Sequence, residues 1–409
     1  MAVRGVLAVM AAGLGTASIA HSLAYMIRGS DPEQAHMLAG WDGRITALLS
    51  EQLSGPEAST QDRKRSDYLA RLALRQDPTA VAAVATLGLN AQLRGDTPSA
   101  RSFFAYSQRL SRRDLRTQLW AIEDAVARGD VPTVLRNYDI ALRTSRVASD
   151  LLFPVLALAI NESEIRKQLV ATMANRPMWN DAFLGYVAGN GPDARAAASL
   201  FQALHRRGIV PPSSTVPSLV GRLLAEDSLE EAWGLYATMV PGADRRISRD
   251  PNFTANTALP TPFDWQPIDD GSVSTSIQRG ERKGVFDFAV PSNLGGPLLQ
   301  QTQLLPPGEY VVEGRSIGID QADAALPYWT LTCTTGRELG RVAVLNSRVA
   351  KGRFAGRFVV PVGCPMQQLQ FVARASNDPS GVTGQIDEVR LRPLEAVMNL
   401  RRRQRPVSS

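Results

Sequence analysis

Gly95-Asp96 and Gly129-Asp130 lie 34 residues apart, and their surroundings recur in register: Ala91 with Ala125, Pro98 with Pro132, Phe104 with Tyr138. A fixed period of this length marks a helical hairpin used more than once, each copy burying its apolar stripe against a neighbour. Such a chain builds a surface before it builds a pocket, so the pattern predicts docking rather than catalysis.

Over 31–242 the apolar residues keep three- and four-residue spacing and the breaks fall at Gly or Pro, which predicts helices throughout. The clearest unit covers 81–114. Leu87-Gly88 and Ala91 lie on its first helix, Gly95 at the turn, and Ala100, Phe104 and Ser107 on its second. Gly88 and Ala100 allow close helix approach, and Phe104 fills the space that remains. These positions resemble the tetratricopeptide repeat. The unit over 115–148 is a degenerate copy, with Ile122 and Val134 where small residues are usual. Residues 42–50 with 73–78 resemble an earlier repeat closed by Pro78. Leu184-Gly185 with Ala197, Phe201 and Leu204, then Leu219-Val220 with Ala232, Tyr236 and Met239, resemble later ones. The resemblance implies roughly four to six hairpins in a right-handed superhelix whose concave face takes protein partners. A passive spacer is the structural alternative.

The first 27 residues are almost wholly apolar after Arg4. About 23 residues at roughly 1.5 Å rise cross a bilayer core of about 30 Å. Arg4 ahead of the run favours an inside amino terminus and an exported remainder. Ser18-Ile19-Ala20 resembles a signal-peptidase site, so a cleaved leader is the rival reading. The net charge of +6 is spread among interspersed acids, and nothing resembles a nucleic-acid reader, so no nucleic acid is expected. Arg401, Arg402, Arg403 and Arg405 form the one dense basic cluster.

Beyond residue 245 Pro, Thr, Ser and Asn rise and period-two segments take over. Strands are expected over 285–290, 299–305, 310–314, 328–333, 354–360, 369–373 and 386–391, punctuated by turns such as Pro306-Pro307-Gly308. About eight short antiparallel strands suggest a two-sheet sandwich. The only two cysteines, Cys333 and Cys364, sit on or beside segments that read as neighbouring strands, and in an oxidising compartment they are expected to form one disulfide.

The segments Asp250-Pro251-Asn252-Phe253, Pro262-Phe263-Asp264-Trp265 and Gln385-Ile386-Asp387-Glu388-Val389-Arg390-Leu391 resemble the first and last strands of jelly-roll carbohydrate-binding modules. That resemblance implies a glycan surface in which aromatic rings stack on sugars, with Trp265, Tyr328 and Trp329 as the candidates. Trp265 at a strand start and Trp329 within a strand are more often core residues. It also implies a structural calcium ion at Asp387, although calcium needs six or more oxygen ligands.

No phosphate loop, HExxH, GxSxG or metal-spaced cysteine pair occurs. Asp264, Asp269 and Asp270 beside Trp265 are the only candidates for a carboxylate pair of the glycosidase kind. The expected whole is multidomain, α then β: a membrane helix over 1–28, tetratricopeptide-like repeats over 29–245, a jelly-roll sandwich over 246–394 and a basic tail over 395–409. It reads as a non-enzymatic scaffold anchored by a single pass in a bacterial inner membrane, with its bulk in the periplasm. The expected role is exopolysaccharide or cell-envelope assembly, with envelope proteins and polysaccharide as partners. A carbohydrate-binding protein and a glycoside-active enzyme are the alternatives.

Overall fold

Gly95 and Gly129 adopt φ of +79° and +68°, which an L side chain disfavours, and each ends a helix in the same way. The amide of the following aspartate reaches back to the carbonyl of Ala91 or Ala125 at 2.9 Å, the six-to-one bond of a Schellman turn. Those aspartates then cap the next helix: Asp96 accepts from the Ser99 amide and Asp130 from the Thr133 amide. Pro98 and Pro132 follow in the first helical turn, where no amide is required. The alanine, glycine, aspartate and proline of the repeated signature thus each have a backbone task, and Phe104 and Tyr138 are buried packing residues.

The computed structural model describes residues 2–395 apart from 56, 256–258, 281–282, 377–378 and 380. The basic tail lies, from residue 396 onward, outside the described residues. Among the described residues fourteen α-helices precede ten β-strands. The chain forms two compact units, 1–156 with 171–179, and 157–170 with 180–409.

In the first unit α1 (Ala2–Ile27), α2 (Pro32–Ala39) and α3 (Gly43–Gln52) run in sequence. Ala24 of α1 packs with Ala35, Ala39 and Ile45, all fully buried. Tyr25 donates to Asp42 at 3.1 Å, and the Arg28 guanidinium lies 4.3 Å from the Tyr25 ring centre. α3 pairs with α4 (Thr60–Gln76), α5 (Val81–Leu93) with α6 (Thr97–Leu110), and α7 (Leu115–Ala127) with α8 (Val131–Thr144). The expected early repeat is therefore present as helices, and α4 ends just before Pro78. Ala47, Ala70, Ala73, Ala80 and Ala83 form one buried cluster, so small side chains permit close approach there. The same logic governs Gly88: a β-carbon would come within 2.9 Å of the Phe104 ring. α9 (Ala148–Ala159) and α10 (Ser163–Met173) run through the division between the units.

The second unit joins α11 (Asn180–Asn190), α12 (Ala194–Arg206), α13 (Thr215–Ala225) and α14 (Leu229–Met239) to the strands. Leu184, Ala197, Phe201, Leu204, Leu219, Val220, Ala232 and Tyr236 are buried, as their spacing predicts.

The strands are β1 (Gln266–Pro267), β2 (Ser274–Gln278), β3 (Val285–Val290), β4 (Gly296–Gln303), β5 (Gly308–Ile317), β6 (Tyr328–Cys333), β7 (Glu338–Ala343), β8 (Arg353–Val360), β9 (Gln367–Ala373) and β10 (Val382–Pro393). They form two antiparallel sheets, ordered β1-β4-β9-β6-β7 and β2-β3-β10-β5-β8, which make a sandwich. Alternate residues of β8 and β9, among them Phe354, Phe358, Leu369 and Phe371, point into a single aromatic-rich core. Cys333 and Cys364 are bonded to each other with Cα atoms 5.7 Å apart.

Candidate functional site

The sandwich places the aromatic candidates on opposite sides of one sheet. Trp329 is completely buried, its ring packed on Phe371 at 5.2 Å and Trp265 at 5.7 Å. Trp265 is 3% exposed, and its Nε1 donates to the Asp250 carbonyl at 3.0 Å. Both rings have their faces committed to the core and offer none to a glycan, which corrects the expectation placed on them. Tyr328, one residue before Trp329 on β6, faces the other way by strand alternation. It is half-buried, with the Arg341 and Arg374 guanidiniums 4.8 and 4.9 Å from its ring centre. On the same outer face the side chains of Gln266, Gln300 and Gln370 hydrogen-bond in a row across β1, β4 and β9.

Asp387 sits at a bulge between β10 and β5, where the register shifts between Ile386 and Glu388. At the irregularity two consecutive residues, Ile386 and Asp387, are both fully buried. Its Oδ1 accepts from Arg315 Nε at 3.0 Å, and Oδ2 accepts from Lys283 and Arg315. Burial pushes its pKa up, but the hydrogen bonds and charges of Arg315 and Lys283 outweigh that and hold it below the usual carboxylate range. Both carboxylate oxygens are already engaged by cationic side chains. Among the described residues no group of three His, Cys, Asp or Glu side chains could hold a metal. This donor set does not fit calcium.

The three loop acids are all engaged in hydrogen bonds. Asp264 accepts from Tyr236 Oη at 2.6 Å and from the amide and hydroxyl of Thr261 at 2.9 and 2.7 Å. Asp269 accepts from the Gly271 amide at 3.0 Å and Asp270 from the Ser272 amide at 2.9 Å. The bonds of Asp269 and Asp270 are turn-forming bonds of the Asx kind.

A concave site lies in the first unit, where the sequence pattern pointed to no binding residue. A groove of about 540 Å³ runs between α6 and α8, with α7 beneath it. Its floor carries Phe104 stacked on Trp120, centroids 4.4 Å apart, with Gln118 and Asn137 buried beside them. Its rim carries five exposed arginines, 101, 112, 128, 136 and 143. Arg101 and Arg128 both pair with Asp124, at 2.8 and 3.2 Å, and Arg143 pairs with Asp139 at 2.9 Å. Among the described residues Arg112 has no carboxylate partner, and Arg136 reaches only the Thr133 hydroxyl. A signal was available: Arg101, Ala105 and Gln108, then Thr133, Arg136, Ile140 and Arg143, each advance by three- and four-residue steps and so share one helix face, and Arg112 follows in the turn after α6.

No family model matches this chain, and no curated protein matches it. Among solved structures, the enzymatically active domain of tailspike protein 4 of bacteriophage CBA120 aligns at 14% identity and TM-score 0.22, over 31% of this chain and 18% of that one. A glycosylation-associated protein complex from Streptococcus agalactiae aligns at 10% identity and TM-score 0.22, over 32% of this chain and 44% of that one. This chain thus spans less than half of either structure, and alignments at that score carry no argument about its function.

Proposed function

We propose that this chain is a non-enzymatic scaffold, held to a bacterial inner membrane by a single pass, that docks an envelope protein on its tetratricopeptide-like helices during exopolysaccharide or cell-envelope assembly. The observation that carries the reading is the open, arginine-rimmed groove between α6 and α8: it offers a large binding surface, and its titratable groups are arginines and ion-paired aspartates. Two further features support it. Val3–Ile27 is long and apolar enough to cross a membrane, and its last turns pack into the folded unit through Ala24 and Tyr25. The Cys333–Cys364 bond suits an oxidising compartment such as the periplasm.

The test is a photo-crosslinking capture from intact membranes, with the crosslinker placed at Ala105 in the groove or at Thr144 away from it. Capture of a discrete envelope protein from the Ala105 position alone supports the reading. Capture from neither position removes it.

One observation favours a second reading, a carbohydrate-binding protein acting through the sandwich: Tyr328 and the row of glutamine amides lie on an outward sheet face. Glycan-array binding lost in Tyr328→Ala protein would favour it over the first.

A further inference from the structure

Five guanidinium groups face two carboxylates around the α6–α8 groove, and both carboxylates are already paired, so the site carries excess positive charge, with Arg112 and Arg136 outside the ion pairs. Between them the floor is apolar at Phe104, Trp120 and Ile140.

We propose that the groove seats an acidic polypeptide segment, its carboxylates on Arg112 and Arg136 and its apolar side chains on Trp120 and Ile140. The proposal rests on the scaffold reading and names the chemistry of its partner. The groove does not stop at α8. Arg136, Asp139 and Arg143 also border a second hollow of about 560 Å³ that reaches Arg176 and Met178, the latter 90% exposed. A surface that continues over a helix in this way fits an extended chain better than a small anion. Its aliphatic lining, Ile140 in the first hollow and Leu135 and Met178 in the second, matches Leu- or Val-type side chains, which a uronic-acid polymer does not have. Charge also excludes the chain's own end as occupant, because Arg401 to Arg405 would repel the rim.

The full chain in detergent micelles is titrated with a fluorescein-labelled peptide built of Glu and Leu, and with Ser-and-Leu and Lys-and-Leu controls, at low and physiological salt. Saturable binding of the Glu peptide alone is expected, weakened by salt and weakened about tenfold or more in Arg112→Glu/Arg136→Glu protein. Both arginines are exposed, so the variant should melt with the parent; Arg112→Gln/Arg136→Gln serves as the milder check. Equal binding of the Ser-and-Leu peptide, unchanged affinity in both charge variants, or displacement of the peptide by oligogalacturonate would overturn the assignment. Crosslinks in the groove together with failure of the Glu peptide would leave the scaffold standing and remove only the acidic partner.

Discussion

The hydroxyl of Tyr236 on α14 donates to Oδ1 of Asp264, ahead of β1, over 2.6 Å, and fastens the last helical hairpin to the sandwich. Arg249 completes the joint. It is 9% exposed, lies 4.8 to 5.4 Å from the ring centres of Trp233, Tyr236 and Phe263, and donates to the Phe263 carbonyl. Burial pushes the Tyr236 hydroxyl well above its ordinary pKa and lowers that of Arg249. The two compact units accordingly divide near 156–180, whereas the change in sequence pattern falls near 245.

Tyr236→Phe should cost about 1.5–3 kcal/mol, the range for a hydrogen bond to a charged group, because Asp264 loses its one partner from the helices. Arg249→Met should cost more, since three rings lose their central packing partner. Urea titration followed by tryptophan fluorescence checks both, and a single shared transition for helices and strands is expected.

Gly88→Ala should destabilise the first unit by about 1–3 kcal/mol, because the added methyl would meet the Phe104 ring at 2.9 Å. Adding Phe104→Leu should recover part of the loss. Thermal unfolding followed by circular dichroism at the helical band decides it.

Reducing the Cys333–Cys364 bond, or replacing both cysteines by Ser, should remove about 3–4 kcal/mol, since a loop of this size is constrained in the unfolded chain. Denaturant midpoints with and without reductant measure it. The Gly88→Ala loss should add to this one, the sites being far apart in sequence and in separate units.

Asp387→Asn should cost about 2–3 kcal/mol, less than a wholly buried pair because Lys283 and Arg315 stay half in water. The folded pKa lies below the unfolded one, so the carboxylate stabilises at pH above the ordinary Asp range, and that stability is lost as pH falls through the lowered value. The parent should therefore lose stability below about pH 4 more steeply than Asp387→Asn. Acid titration of the unfolding midpoint tests the sign.

Trp329→Ala should cost about 3–5 kcal/mol and Trp265→Ala a similar amount, as core truncations do. Tyr328→Ala should stay within about 1 kcal/mol of the parent. Comparing unfolding midpoints of the three variants separates core from surface aromatics.

Much of the fold was legible because its signals are local. Gly95 and Gly129 carry backbone conformations that few residues share, and β3 and β6 match the expected 285–290 and 328–333 because their inward and outward residues differ in kind. β2 and β7 escaped notice for a physical reason: both are sheet edges, and Ser274–Gln278 and Glu338–Ala343 carry little apolar alternation to detect. Burial of Trp265 and Trp329 could not be separated from glycan stacking, because a tryptophan serves either role and only the sheet's sidedness decides. The setting of Asp387 was not legible because its partners, Arg315 and Lys283, lie 72 and 104 residues away along the chain. The groove went unnamed because its charge is distributed over helix faces that become one wall only after α6 and α8 are placed.

The packing of Ala24 and Tyr25 against α2 and α3 sets a rule for handling this molecule. A truncation that discards residues up to 28 would strip the cover from Ala35, Ala39 and Ile45 and invite aggregation. Any water-soluble version should instead begin near His21, keeping the final turns of α1 as part of the globule.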